Sequence, residues 1–318
     1  MHGVFLDLRT VDRDDLDLTS LRSVVRQWTW HEWTDPSQLS DRLGEADILV
    51  SNKVRLDAAA LESAHRLKLV CIAATGTNNV DLDACRARNI VVTNVTGYAT
   101  PSVVEHVFAQ ILHLMRRLNE YRQAIEEERW QRAVDFCLLD YPIRELKGLT
   151  LGIVGYGELG RAVAATGEAF GMHVRIAERR GASLRPGRDP LDQLLASSHV
   201  VSLHCPLTDE TRGLIGARAL GLMRQDAILI NTARGGIVDE TALLQAIRSG
   251  RIAGAAVDVL SEEPPHQGNP LLGNSLPNLL VTPHIAWASI NARQRLVDEI
   301  AANIRTWLNG RARNVVCP

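Results

Sequence analysis

Closely spaced cysteines are missing from the sequence. It contains five cysteines, an odd number, at wide spacing and without a CxxC pair. Disulfide-stabilised secreted domains and zinc modules both depend on such pairs. We therefore expect no metal site, and we expect reduced thiols as in a protein of the cytoplasm.

Long apolar runs and an excess of one charge are missing too. No apolar run approaches the roughly 18 residues that a membrane-spanning helix needs. The first fifteen residues turn acidic without a basic segment, so we expect no signal peptide. The formal net charge is −2, whereas nucleic-acid binding depends on a basic face. We expect neither a membrane nor a nucleic acid as a partner.

What the chain does contain is enough apolar sequence for two domains. Of its 318 residues, 46% are hydrophobic and 23% charged, which is a globular composition. Short apolar runs alternate with helical patterns over the first hundred residues and again from residue 148. Such alternation is typical of parallel sheets with helices on both faces. The pattern predicts an α/β protein.

One segment, residues 119–147, does not follow this alternation. It mixes charged residues with Trp130, Phe136 and Tyr141. A solvated helix and loop would explain the pattern. A dimerisation arm would explain it equally well, because large aromatic side chains among charges are typical of interfaces.

A glycine motif follows the apolar run that begins near residue 149. Gly155, Gly157 and Gly160 have G-x-G-x-x-G spacing, and Glu178 ends the next predicted strand 18 residues later. Glycines there permit a tight turn, and the following helix N-terminus can bind a pyrophosphate. In this context the motif predicts a dinucleotide coenzyme.

The acid at position 178 bears on which coenzyme is bound. A carboxylate at this strand end can accept hydrogen bonds from the adenosine ribose and repels a 2′-phosphate. We therefore expect NAD(H) to be preferred. Arg179 and Arg180 follow directly and could pair with that phosphate, so NADP(H) stays open.

Polar residues follow three later strands. Arg234 lies in NTARG, Asp258 and Glu263 in DVLSEEP, and His284 in TPHIAW. The carboxyl ends of parallel strands meet at one edge of a sheet. A histidine can exchange a proton near neutrality, a carboxylate can orient it, and an arginine can hold an anion. Each residue alone is commonly structural, but together they predict an active site at the sheet edge where the coenzyme would bind.

Longer motifs surround these residues. They are AATGTNNVD (73–81), SVVEH (102–106), GYGELG (155–160), HCPLTDETRGLI (204–215), NTARGGIVDE (231–240), DVLSEEP (258–264) and TPHIA (282–286). With them the chain resembles the D-isomer-specific 2-hydroxyacid dehydrogenase family over nearly its whole length. Three stretches are similar to those of the glycerate dehydrogenases, also called hydroxypyruvate reductases: SNKV (51–54), AERRGA (177–182) and HIAWAS (284–289).

The resemblance implies a domain plan. Residues 1–99 and 290–318 would form a discontinuous, flavodoxin-like substrate-binding domain. Residues 100–289 would form a Rossmann NAD(P)-binding domain, with 119–147 as the dimerisation arm of a homodimer. Both domains would be doubly wound parallel sheets, with the active site in the cleft between them.

The resemblance also implies an activity and its residues. The reaction would be reduction of hydroxypyruvate to D-glycerate, and of glyoxylate to glycolate, by NADH or NADPH. His284 would be the acid/base, Glu263 its partner, and Arg234 the carboxylate-binding cation. Thr75 and Gly76 would bind the substrate carboxylate through backbone amides. The implied coenzyme contacts are Glu158, Leu159, Glu178, Cys205, Pro206, Thr211, Thr232, Ala233 and Asp258.

The identity of the substrate stays open. Ala74 and Asn78 stand where the family often has Gly and Asp. Lys53 could reach the far hydroxyl of the substrate or could be solvated. Another 2-keto acid or 3-phosphoglycerate is an alternative, although only Lys53 and Arg55 offer cations for a phosphate. An NAD(H)-sensing co-regulator with vestigial catalysis is a second alternative. Turnover of any keto acid would distinguish an enzyme from such a sensor.

Overall fold

The chain folds as two compact units, each built on its own six-stranded sheet. The computed structural model describes residues 1–317. Residues 1–99 and those from 287 onward form the first unit, and residues 100–286 form the second. The predicted α/β class with two parallel-sheet units is confirmed. The assignment of substrate to one unit and coenzyme to the other stays a prediction.

The elements are numbered in chain order. The strands are β1 (His2–Phe5), β2 (Gln27–Trp30), β3 (Ile48–Ser51), β4 (Leu69–Ile72), β5 (Val91–Thr93), β6 (Thr150–Val154), β7 (His173–Ile176), β8 (Val200–Leu203), β9 (Ile228–Asn231), β10 (Gly254–Val257), β11 (Leu279–Val281) and β12 (Val315–Cys317). The helices are α1 (Thr19–Arg22), α2 (Leu39–Glu45), α3 (Ala58–Leu61), α4 (Leu82–Ala87), α5 (Thr100–Met115), α6 (Leu118–Glu126), α7 (Glu158–Ala169), α8 (Leu191–Ser197), α9 (Ala217–Leu222), α10 (Glu240–Arg248) and α11 (Ile290–Leu308).

The first unit has the strand order β12-β5-β4-β3-β1-β2. All pairings are parallel except that between β12 and β5. Every residue of β1, β3 and β4 is buried, as expected for parallel strands covered on both faces. Helix α11 returns the chain to this unit, where it packs on β4 and α1. Its Arg293 donates hydrogen bonds to both carboxylate oxygens of Asp15 at 2.6 and 2.7 Å.

The second unit has the strand order β11-β10-β9-β8-β6-β7, parallel throughout. An isolated parallel bridge joins Ala177 to Asp189 beside β7, where the third strand of a classical dinucleotide-binding sheet would pair. From β6 the chain first adds β7 on one side of the sheet and then β8 to β11 on the other, so the strand order reverses between β6 and β8. Ligands of such sheets bind at this reversal, beyond the carboxyl ends of the strands.

The segment 119–147 contains all of α6 except its first residue, and then an irregular stretch up to β6. Val134, Phe136 and Leu139 expose 103%, 90% and 83% of their surfaces. It is therefore not a βα unit, and it presents apolar surface to the outside. Within residues 1–317, no helix combines the length and apolar character needed to cross a bilayer.

Candidate active site

The glycine turn between β6 and α7 is shaped by close backbone contacts. Gly155 has φ +96°, and a Cβ there would lie 2.5 Å from the backbone nitrogen of Cys205. A Cβ at Gly160 would lie 2.0 Å from the carbonyl oxygen of Gly155. A Cβ at Gly157 would meet nothing within 4 Å. Two glycines thus let the helix and strand pack, and the third leaves open space of the kind that a phosphate could occupy.

The N-terminus of α7 is suited to an anion. Gly157 is its N-cap and supplies no side-chain hydrogen bond to the first amides of this twelve-residue helix. The side chain of Glu158 accepts a hydrogen bond from Thr100 Oγ1 at 2.6 Å and is held by α5. Leu159, also a predicted contact, lies in the first turn. This end of the second unit fits a dinucleotide pyrophosphate.

Other predicted coenzyme contacts follow β8 and β9. Thr211 Oγ1 donates to the carbonyl of Pro206 at 2.6 Å, which closes the turn after β8. Burial raises the pKa of the Cys205 thiol, so this cysteine stays protonated at neutral pH. Thr232 Oγ1 is buried and has no hydrogen-bond partner among the described residues. A bound ligand would satisfy such an atom, so Thr232 and its neighbour Ala233 fit the prediction.

Glu178 lies two residues beyond the end of β7, whereas the sequence predicted it as the last residue of that strand, and its carboxylate is already engaged. Its side chain is only 5% exposed and pairs with the guanidinium of Arg185 at 2.6 Å. The hydrogen bonds from Arg185 and from the amide of Arg179 lower the pKa of Glu178 to about 2. A ribose hydroxyl would have to share or displace these partners. The sequence argument for NAD(H) is weaker for that reason.

His284 and Glu263 form a hydrogen-bonded pair. The imidazole Nδ1 lies 2.6 Å from Glu263 Oε2, and both side chains are about one third exposed. Glu263 Oε1 accepts a hydrogen bond from the amide of Leu260 at 2.8 Å, which fixes the carboxylate. His284 has φ +54°, an uncommon conformation for a residue other than glycine. Such a conformation persists only where surrounding contacts enforce it.

Those contacts come from Asp258, whose side chain is fully buried. Its oxygens accept hydrogen bonds from Thr282 Oγ1 at 2.5 Å and from the amides of Ile285 and Ala286 at 2.9 Å. Its backbone carbonyl accepts the His284 amide at 2.8 Å. Asp258 therefore holds the turn that carries the histidine. Its predicted contact with the nicotinamide amide stays a prediction.

Arg234 lies on a loop that is tied to the Glu263 loop. Asn231 accepts a hydrogen bond from the amide of Ala233 and donates one to the carbonyl of Arg234, at 3.1 and 3.0 Å. A Cβ at Gly235 would lie 1.9 Å from the carbonyl carbon of Leu260. The loops after β9 and β10 therefore touch backbone to backbone.

A residue that the sequence reasoning missed reinforces this contact. The buried carboxylate of Glu240, at the start of α10, accepts hydrogen bonds from the amide and hydroxyl of Ser261 at 2.7 Å. Asn269 donates a third at 2.7 Å. Glu240 is the last residue of the motif NTARGGIVDE. An acid at the first position of an apolar helix was the sequence signal that could have identified it.

The predicted substrate residues of the first unit lie at the carboxyl ends of β3 and β4. Thr75 Oγ1 donates to the carbonyl of Val95 at 2.8 Å, which pins the loop containing Gly76. The amide of Lys53 donates to the buried carboxylate of Asp7 at 2.6 Å. Burial raises the pKa of Asp7 despite hydrogen bonds from three successive amides. Asp7, which directly follows the apolar run GVFL, was not predicted as a site residue.

Comparison with known proteins places this geometry in context. The family description "D-isomer specific 2-hydroxyacid dehydrogenase, NAD binding domain" matches residues 108–286. The chain is 43% identical to the glycerate dehydrogenase of Methylorubrum extorquens, over 95% of this chain and 97% of that protein. It is 34% identical to the hydroxypyruvate reductase of Blautia hydrogenotrophica, over 99% of both. A D-lactate dehydrogenase structure from Aquifex aeolicus, with NAD and lactic acid, has a TM-score of 0.83 at 30% identity, over 97% of this chain and 96% of that chain.

The loop contact at Gly235 can be tested by adding one methyl group. Gly235→Ala should destabilise the second unit by about 1–3 kcal/mol or more, because the added Cβ meets backbone that cannot rotate away. The matched control is Gly236→Ala, whose Cβ would meet the flexible side chain of Leu207 at 3.3 Å. Thermal unfolding checks both, and equal melting temperatures would contradict the proposed backbone contact.

His204 should make the stability depend on pH. Burial lowers its pKa from 6.5 to about 4, and its Nδ1 has no partner among residues 1–317. The unfolded chain then binds the proton more readily, so stability is full above pH 6.5 and falls as the pH drops towards 4. The loss by pH 4.5 should be about 2–3 kcal/mol. Denaturant unfolding at several pH values checks this. The free energy of unfolding should depend less steeply on pH in His204→Gln than in the wild type, and equal pH dependence would refute the assignment.

Proposed function

Because the chain belongs to the D-isomer-specific 2-hydroxyacid dehydrogenase family, we propose that it reduces hydroxypyruvate to D-glycerate with a nicotinamide coenzyme, and glyoxylate to glycolate. The predicted family and its oxidoreductase class are confirmed. The observation that carries the proposal is the 2.6 Å contact between His284 and Glu263 on a turn beside the Arg234 loop.

The reduction needs a hydride, a proton and a cation. A nicotinamide coenzyme supplies the hydride when bound. His284 gives the proton to the carbonyl oxygen, and Glu263 stabilises the imidazolium that holds it. Arg234 binds the carboxylate and offsets the negative charge that develops on the carbonyl oxygen. In the reverse direction His284 accepts the hydroxyl proton.

Thr75, Gly76 and Lys53 are the remaining proposed substrate residues. The amides of Thr75 and Gly76 would bind the carboxylate, and Lys53 would reach the terminal hydroxyl of hydroxypyruvate. The loop of Lys53 is held by Asp7 through its backbone, so the position of the lysine does not depend on its own side-chain contacts. A small, singly charged keto acid suits this set better than a phosphate ester.

The activity can be tested by following absorbance at 340 nm with hydroxypyruvate, glyoxylate and pyruvate, each with NADH and NADPH. Hydroxypyruvate should turn over fastest. His284→Ala should lower kcat by about 10²–10⁴-fold, because the proton donor is removed. Arg234→Ala should lower kcat/KM, because it removes both the carboxylate contact and carbonyl polarisation. His266→Ala, an exposed histidine near the Glu263 loop, is the matched control and should be unchanged.

Two outcomes would reject the proposal. Binding of NADH without turnover of any keto acid would favour a sensor of NAD(H). Wild-type turnover by His284→Ala would show that another group supplies the proton. Faster turnover of a different keto acid would leave the mechanism in place and change the substrate.

We further propose that the segment 119–147 pairs with the same segment of a second copy through its exposed apolar side chains. Val134, Phe136 and Leu139 are almost fully exposed in a single chain, which is costly for a monomer. The cytoplasmic location expected from the free cysteines belongs to the same proposal and rests on composition alone.

Light scattering after size exclusion tests the pairing. The protein should have twice the 35.0 kDa mass of one chain. Phe136→Glu combined with Leu139→Glu should give monomers, because charges cannot be buried unpaired at an apolar interface. Leu272→Glu, at an exposed leucine elsewhere on the second unit, should remain dimeric. A monomeric wild type, or a dimer insensitive to both glutamates, would contradict the pairing.

A further inference from the structure

We propose that this chain accepts the 2′-phosphate of an NADP(H)-type coenzyme, and that Arg185 makes this possible by neutralising Glu178. The inference rests on the coenzyme-binding part of the proposed function. It concerns the pocket after β7, where the two nicotinamide coenzymes would differ.

The Glu178 carboxylate has no unused bonding positions. Oε1 accepts the amide of Arg179 at 2.8 Å and Arg185 Nη2 at 2.6 Å. Oε2 accepts Arg185 Nε at 2.8 Å and the amide of Arg185 at 3.1 Å. A carboxylate offers about four acceptor positions. The acid that would bind a ribose diol and repel a phosphate is thus engaged and charge-paired.

The pocket as a whole carries excess positive charge. Its cavity of about 590 Å³ is lined by two acids and three arginines, with Arg185 pairing at its wall. Glu178 pairs with Arg185, and Asp192 pairs with Arg218 at 2.8 Å. That leaves the cations of Arg179 and Arg180, which are exposed and form no ion pair in the described part of the chain.

A further cation lies at the pyrophosphate end of this region. The guanidinium of Arg188 stacks on the ring of Tyr156, within the glycine turn, at 4.7 Å from the ring centroid. A ribose 2′-phosphate would meet guanidinium groups that bind phosphate oxygens in bidentate fashion. A free ribose 2′-hydroxyl would find no open carboxylate.

Calorimetric binding of two coenzyme fragments tests the inference without turnover. We expect 2′,5′-ADP to bind about tenfold or more tightly than 5′-AMP. Equal binding, or tighter binding of 5′-AMP, would overturn the proposal. Because neither fragment reacts, the result holds even if no keto acid is reduced, so failure here and failure of the proposed activity are distinguishable.

Variants test the role of Arg185. Arg185→Met leaves Glu178 uncompensated and should reduce the preference for 2′,5′-ADP over 5′-AMP at least tenfold. The double variant Glu178→Gln with Arg185→Met should recover most of that loss, because no negative charge remains. Arg86→Met, at a surface arginine of α4 paired with Asp83, is the matched control and should be unchanged.

A merely structural role for Arg185 would lower both affinities together and would not be rescued by Glu178→Gln. An unchanged preference in Arg185→Met, in protein with wild-type thermal unfolding, would also overturn the role of Arg185. When Arg185→Met is assayed with the whole coenzymes, its KM for NADPH should rise relative to its KM for NADH, while its kcat changes little.

Discussion

The candidate active site depends on one buried carboxylate. Asp258 joins the end of β10 to the turn after β11 by accepting the Thr282 hydroxyl and two successive amides. These bonds hold His284 at a positive φ, and that conformation directs the imidazole at Glu263. A buried charge left without such partners would be costly, so the turn and the carboxylate stabilise each other.

Buried acids and backbone contacts also fix the neighbouring loops. Glu240 binds Ser261, and Gly235 lies against Leu260, so the loops of Arg234 and Glu263 cannot move independently. Acid/base chemistry needs a proton donor and an anion-binding group in fixed relation. Here this relation comes from backbone contacts and buried acids, while the side chains proposed to react remain partly exposed.

Several features could be read from the sequence because they are local. The glycine turn is defined by spacing within six residues, and Arg234, Glu263 and His284 follow apolar strands whose carboxyl ends share one sheet edge. The partner of Glu178 could not be read in this way, because Arg185 lies in an irregular loop without periodicity. Asp7, Glu240 and the full role of Asp258 also depend on tertiary contacts. An acid after a strand has the same local pattern whether it binds a ligand or the backbone.

The most direct test of this account is the turnover of Asp258→Asn with hydroxypyruvate. In this variant an NH2 group replaces one carboxylate oxygen. It cannot accept a hydrogen bond from the backbone N–H that it faces, so the His284 turn would lose its anchor. The account predicts a fall in kcat of about 100-fold or more, with the binding of 2′,5′-ADP unchanged because the glycine turn lies elsewhere on the sheet. Wild-type kcat in a folded Asp258→Asn protein would contradict it.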